Sequence, residues 1–241
     1  MLLYSCRRDF SSNYRFGLPQ LRDGSLPENK RVLILVHGYR NNETAAAKAY
    51  ITVEEKLRQY QFPYDEVIGF LWPGSGISLG FLAAVGRANK AAQYLADLVR
   101  QLQERGCEVS VQTHSLGARV ALQAIKQYGV KLKDLILLAP AVDANVFSPK
   151  GEFKITVNNI TECFIIGYSS QDDVLKDAYW TAEVISNLFS GKAQKALGLY
   201  GPSGKYPVAQ LKLINGSVFI ISHSSWKSEE KGYQAWKELV A

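Results

Sequence analysis

The sequence predicts an α/β fold, one mostly parallel sheet covered by helices on both faces. Three observations predict it. Short apolar runs alternate along the chain with longer amphipathic stretches. The short runs are continuously apolar, as in strands buried on both faces, rather than alternating. The 241 residues, 47% of them hydrophobic, suit one domain with a sizeable core, and no repeat or linker divides them.

Met1 to Phe10 begins with a short near-apolar run before Arg7 and Arg8 and reads as an edge strand. Its charges follow the apolar residues, the reverse of a secretory signal. Lys30 to His37 (KRVLILVH) is rich in β-branched residues and reads as a buried strand. Glu43 to Tyr60 reads as a helix with Ala46, Ala49, Ile51, Val53 and Leu57 as its apolar positions. Glu66 to Trp72 (EVIGFLW) is a second buried strand, stopped by Pro73 and Gly74. Val85 to Arg105 carries the clearest helical stripe, through Ala91, Ala92, Leu95, Leu98, Val99 and Leu102. Strands then follow at Glu108 to Thr113, Asp134 to Ala139 and Glu162 to Tyr168. A helix at Leu116 to Tyr128 lies between the first two, closed by Gly129. Ala178 to Ser190 reads as helical. Gln210 to Ser222 holds one or two strands around Asn215-Gly216, a dipeptide that favours a hairpin turn. Ser224 to Val240 reads as a closing helix.

Composition narrows the function classes. A net charge of +6 is mild, and the lysines are scattered, so they read as a solvated surface. No basic stripe interleaves with stacking aromatics, so no nucleic-acid partner is expected. No apolar run reaches the length of a membrane span, and stable membrane insertion is not expected. Cys6, Cys107 and Cys163 form no CxxC pair, and an odd number argues against a disulfide framework. The expected setting is therefore reducing and cytoplasmic. No cofactor is expected. The histidines are scattered without HExxH, which argues against a metal hydrolase. Gly74 to Gly80 has the glycines of a dinucleotide loop. The acidic residue expected about 20 residues on falls inside a helix, at Asp97, so that reading fails.

The informative segment is Val111-Gln-Thr-His-Ser-Leu-Gly-Ala-Arg-Val120, where the third buried strand meets its helix. A serine on such a turn presents its hydroxyl above the sheet edge, with a helix N-terminus beneath it. Ser115 is the candidate nucleophile. The turn calls for small residues two before and two after the serine. Gly117 satisfies the second position, and Thr113 stands at the first, where glycine is usual. The backbone N–H of Leu116 would face an oxyanion formed on attack. A second donor is expected from the loop after the first buried strand, Val36-His37-Gly38-Tyr39-Arg40-Asn41-Asn42. There Gly38 permits close approach to the serine, and either Tyr39 or Arg40 supplies the N–H.

VHGYRNN, FLWPGSG and THSLGARV, in that order, resemble a branch of the α/β-hydrolase superfamily whose members are of unknown function. The resemblance runs from about residue 30 to about residue 226. It implies a central sheet of about eight strands flanked by helices. It specifies substrate poorly.

A serine hydroxyl needs a base. His37 belongs to the oxyanion loop, and the His114 side chain should point away from the nucleophile. That leaves His223, last in the chain order nucleophile, acid, histidine. The acid follows the strand at Glu162 to Tyr168, where Asp172 and Asp173 both stand, with Asp143 after the preceding strand as a third option. The resembling family carries an aspartate, two variable residues and a leucine, which implies Asp172. Gly38, His114 and Trp72 are expected to line the substrate site. The aromatic-rich segment 176–208 reads as a small cap or pocket-lining piece of the single domain 1–241. The expected activity is cleavage of an ester, thioester or similar acyl bond in a small-molecule substrate through an acyl-enzyme. An acyltransferase using the same serine, and a binding protein that keeps the fold, are the rival readings.

Overall fold

The computed structural model describes residues 1–9, 15–74, 81–154, 156–180, 195–204 and 211–240. Among the described residues eight strands form one sheet in the order β2-β1-β4-β3-β5-β6-β7-β8. They are β1 (Leu2–Arg7), β2 (Phe16–Arg22), β3 (Arg31–Val36), β4 (Glu66–Leu71), β5 (Glu108–His114), β6 (Leu132–Leu138), β7 (Ile160–Tyr168) and β8 (Leu211–Asn215). Only β1 and β2 pair antiparallel; every other neighbouring pair is parallel. The helices are α1 (Glu43–Gln59), α2 (Phe81–Glu104), α3 (Gly117–Tyr128), α4 (Asp173–Trp180), α5 (Leu197–Tyr200) and α6 (Glu230–Val240).

The core explains the strand order. Val32 to Val36 of β3 are all at most 2% exposed, as expected of a central parallel strand covered on both faces. β3 pairs with β4 on one side and β5 on the other, with Val36 opposite both Phe70 and Thr113. The C-terminal ends of these three strands therefore lie side by side. In open parallel sheets that edge is where ligands bind.

Several local expectations are corrected. β1 is not an edge strand. β2, with Leu18 exposed and Pro19 in its middle, covers it and forms the edge itself. A proline is tolerated there because it need not donate to a further strand. On α1 the inward stripe is Ala46, Tyr50, Val53 and Leu57, while Ile51 is half exposed. Positions 46, 50, 53 and 57 keep the helical period, and position 51 departs from it. Asn215-Gly216 turns no hairpin. β8 runs parallel to β7, and the Gly216 N–H donates to the Tyr168 carbonyl as the chain leaves the sheet. The closing helix is interrupted: a short 3-10 turn at Ser225–Lys227 precedes α6. Of the helix expected at 178–190, residues 178–180 are the end of α4, and the rest, with most of the 176–208 segment, lies outside the described residues. Among the described residues no helix is long and apolar enough to cross a membrane.

Candidate active site

Ser115 sits one residue beyond β5 and two before α3. Its φ is +55°, a left-handed conformation that costs an L-residue roughly 1–3 kcal/mol and tends to concentrate at functional sites. Neighbouring chain holds it there. The Ser115 N–H donates to the Leu138 carbonyl at 3.0 Å, and the Ser115 carbonyl accepts from Ala118 and Ala141 at 3.1 Å each. Arg40 and Ala139, with φ of +62° and +46°, are strained at the same sheet edge.

Two glycines make the turn possible. A Cβ on Gly117 would lie 2.5 Å from the Val36 carbonyl oxygen and 2.7 Å from that of His37. One on Gly38 would lie 2.8 Å from Ser115 Cβ. The loop after β3 is thus pressed against the serine. Thr113 takes the position where glycine is usual because it is the last but one residue of β5. Its buried side chain reaches the Ile136 carbonyl of β6 at 3.4 Å instead of crowding the turn. Leu116 is the N-cap of α3 and makes no side-chain cap; the Ala118 and Arg119 amides that open the helix donate to the Ser115 and Leu116 carbonyls at 3.1 Å each, which ties the serine turn to the helix start.

His223 lies in the loop between β8 and α6, and three groups grip it. Its Nδ1 is 2.7 Å from Asp172 Oδ2. Its backbone N–H donates to Asp173 Oδ1 at 3.1 Å. Its carbonyl accepts from His114 Nε2 at 2.8 Å. Both aspartates therefore touch His223, one at the ring and one at the main chain. Asp172 is fully buried, and its other oxygen accepts the Leu175 N–H at 2.8 Å. It caps α4 and orients the imidazole at once. Asp173 is held below the ordinary carboxylate range, chiefly by the His223 amide. Ser115 Oγ makes no hydrogen bond to the His223 ring; in unliganded sites that contact is often long and tightens with substrate.

Other candidates fall elsewhere. Asp143 is buried, accepts from the Asn145 N–H at 3.1 Å and makes no bond to His223. Burial raises its pKa. Trp72, expected as a wall of the site, is fully buried; it stacks on His37 with centroids 5.4 Å apart and donates to the His37 carbonyl at 2.8 Å. The Arg40 N–H is engaged by the Gly74 carbonyl at 3.0 Å. The His114 ring faces His223, with centroids 4.6 Å apart. A small pocket lined by Gly38, Tyr50, Gln112, His114 and Trp226 adjoins the site, but Ser115, Asp172 and His223 are not among its walls. Two residues that sequence reasoning passed over also converge here. Arg7 is fully buried beneath the loop after β3, and the Asn41 side chain folds back onto that loop.

The chain from residue 22 to 196 matches the family model described as alpha/beta hydrolase of unknown function, DUF900. The chain belongs to this family. Its match spans Ser115, Asp172 and the loop after β3, and stops short of β8 and His223. Solved structures share the fold. The esterase PE8 superposes with a TM-score of 0.51 at 15% identity, covering 91% of this chain and 95% of that one. A lipase from Bacillus licheniformis, BlEst2, gives 0.49 at 14% identity over 90% and 94%. A predicted hydrolase from Thermoplasma acidophilum gives 0.48 at 16% over 92% and 90%. No curated protein matches the chain.

Two histidines of this α/β hydrolase are held neutral. Burial first, and then the Arg7 charge, push His37 down to about 3. Burial, and then the His223 and Lys227 charges, lower His114 well below the ordinary range. Unfolding exposes both to protonation near the ordinary histidine pKa of about 6.5. Their contribution to stability is therefore complete above about pH 6.5 and falls as pH drops toward His37's folded value. Each is expected to remove up to about 1.4 kcal/mol per pH unit in that window. Urea midpoints at about pH 7.5 and 4.5 measure the loss, and His37→Gln is expected to reduce the slope. An unchanged slope in His37→Gln would contradict the assignment.

Proposed function

We propose that the protein is a serine hydrolase that cleaves an ester, thioester or similar acyl bond. The observation that carries this reading is the convergence at one sheet edge of a strained Ser115 and a His223 whose ring is fixed 2.7 Å from a buried carboxylate. Ser115 Oγ adds to the acyl carbonyl carbon while His223 Nε2 takes the hydroxyl proton. Asp172 holds Nδ1 and stabilises the imidazolium. Collapse of the tetrahedral intermediate breaks the acyl–leaving-group bond, and His223 returns the proton to the leaving group. Water then repeats the sequence on the acyl-enzyme.

The oxyanion is assigned to the N–H groups of Leu116 and Tyr39. The engagement of Arg40's amide with Gly74 supports Tyr39 over Arg40. Peptide planarity supports it too: the Tyr39 N–H points opposite to the Gly38 carbonyl, which is turned inward to His37 Nδ1 at 2.8 Å. Hydrolysis of short p-nitrophenyl esters tests the proposal, with turnover expected in the wild type and none above background in Ser115→Ala. Added alcohols or thiols that capture most of the acyl group would redirect the reading to an acyltransferase. A wild type inert to every acyl donor would favour a binding role.

A further inference from the structure

A fully buried arginine is expensive to desolvate and calls for an explanation. Arg7 ends β1, which pairs with β4 so that its last residues reach the active-site edge of the sheet. From there the guanidinium meets two segments, the chain beyond β4 and the loop after β3. Nε donates to the Trp72 carbonyl beyond β4 at 3.1 Å. Nη2 lies 3.2 Å from His37 Nε2 and 3.0 Å from the Asn41 carbonyl, at the two ends of the loop that carries Gly38 and Tyr39.

The contact with His37 has a directional consequence. Arginine only donates, so His37 Nε2 must accept. The Trp72 N–H, 3.3 Å away, points at the same nitrogen. The ring proton is then on Nδ1, which donates to the Gly38 carbonyl. Asn41 Nδ2 reinforces the arrangement by donating to the Gly38 and Tyr39 carbonyls at 3.3 and 3.1 Å. With those carbonyls drawn inward, the amide sharing the Gly38 peptide plane, that of Tyr39, is turned the other way.

We infer that Arg7 is a positioning residue for the oxyanion loop, fixing the His37 tautomer and the Asn41 end of the loop so that the Tyr39 N–H is presented to the reacting carbonyl. The inference rests on the serine-hydrolase reading. It gives β1, which lies outside the family match, a part in the chemistry.

The test compares wild type, Arg7→Met and Asn41→Leu on p-nitrophenyl butyrate, with each preparation titrated by a fluorophosphonate probe to count competent sites. Arg7→Met keeps an unbranched apolar stem and removes the charge and the donors. Its kcat per titrated site is expected to fall about 10- to 100-fold, with KM within about threefold, because the loop acts on the transition state more than on bound substrate. Affinity for an alkylboronic acid, whose tetrahedral adduct carries negative charge, should fall in parallel. Asn41→Leu buries no orphaned charge and is expected to lose about 5- to 10-fold in the same quantities. A purely structural role for Arg7 would reduce the titrated fraction and leave kcat per site unchanged, which overturns the inference. If Arg7→Met does not fold, unchanged kcat per site in Asn41→Leu overturns it instead. A wild type that takes no probe and turns over no ester defeats the serine-hydrolase reading and this inference with it, whereas a reactive wild type with unaffected variants defeats the inference alone.

Discussion

Ser115→Ala is expected to lower turnover of an activated ester by on the order of 10⁴-fold or more, with His223→Ala close behind and the double variant no worse than either single one. Without the Oγ nucleophile His223 has no proton to take. Without His223 the hydroxyl stays protonated and unreactive. Groups that act as one unit lose their effect together, so the losses should not add. Asp172→Asn should also reduce the rate steeply, because an amide keeps the shape but can favour the wrong histidine tautomer. Steady-state rates on one ester across these variants measure the pattern. Additive losses would mean that Ser115 and His223 act separately. Stability should divide the variants differently. Asp172→Ala removes both the α4 cap and the partner of a buried ring and is expected to destabilise. Ser115→Ala removes one hydroxyl and should be nearly neutral.

The second large effect is expected at Gly117. Its added Cβ would meet two backbone carbonyl oxygens, at 2.5 and 2.7 Å, and neither is the tip of a flexible side chain. Gly117→Ala must therefore shift either β3's end or the start of α3, at a cost of about 3 kcal/mol, the upper part of the overpacking range. For a chain of this size that corresponds to a fall in Tm of roughly 6–12 °C. Gly38→Ala meets the Ser115 side chain itself, so activity should suffer there more than stability. Thermal melts paired with ester turnover separate the two. A Gly117→Ala variant as stable as wild type would mean that the β3–α3 approach is looser than these distances.

The parts of the fold legible in the sequence share a physical cause. β3, β4 and β5 are buried on both faces, so their residues are continuously apolar and announce themselves. β2 does not. Its sequence, FGLPQLR, is half exposed and holds a proline that only an edge tolerates. Because β2 carries no such pattern, the sequence reads β1 as the edge, and nothing in it singles out Arg7. No local pattern reveals that β1 lies beside β4, and without that pairing a buried arginine beneath the loop after β3 is invisible. Asn215-Gly216 misled in the opposite sense. A dipeptide that usually turns a hairpin here leaves a parallel strand, and a Cβ on Gly216 would collide with Ile220 and Trp226. At the candidate site, strand-to-helix context points to Ser115, the loop after β3 to Gly38, and elimination among three histidines to His223. The division of labour between Asp172 and Asp173, and the contact of His114 with the His223 carbonyl, are not legible in the sequence. Each joins segments about 50 or 110 residues apart, a separation that periodicity does not address.

The most direct measurement of the central claim is labelling of the intact protein with a fluorophosphonate and identification of the modified residue by peptide mass spectrometry. The account predicts one phosphonyl group on Ser115, absent in Ser115→Ala and strongly slowed in His223→Ala. No label on a folded wild type, or label that persists on another residue in Ser115→Ala, would contradict it.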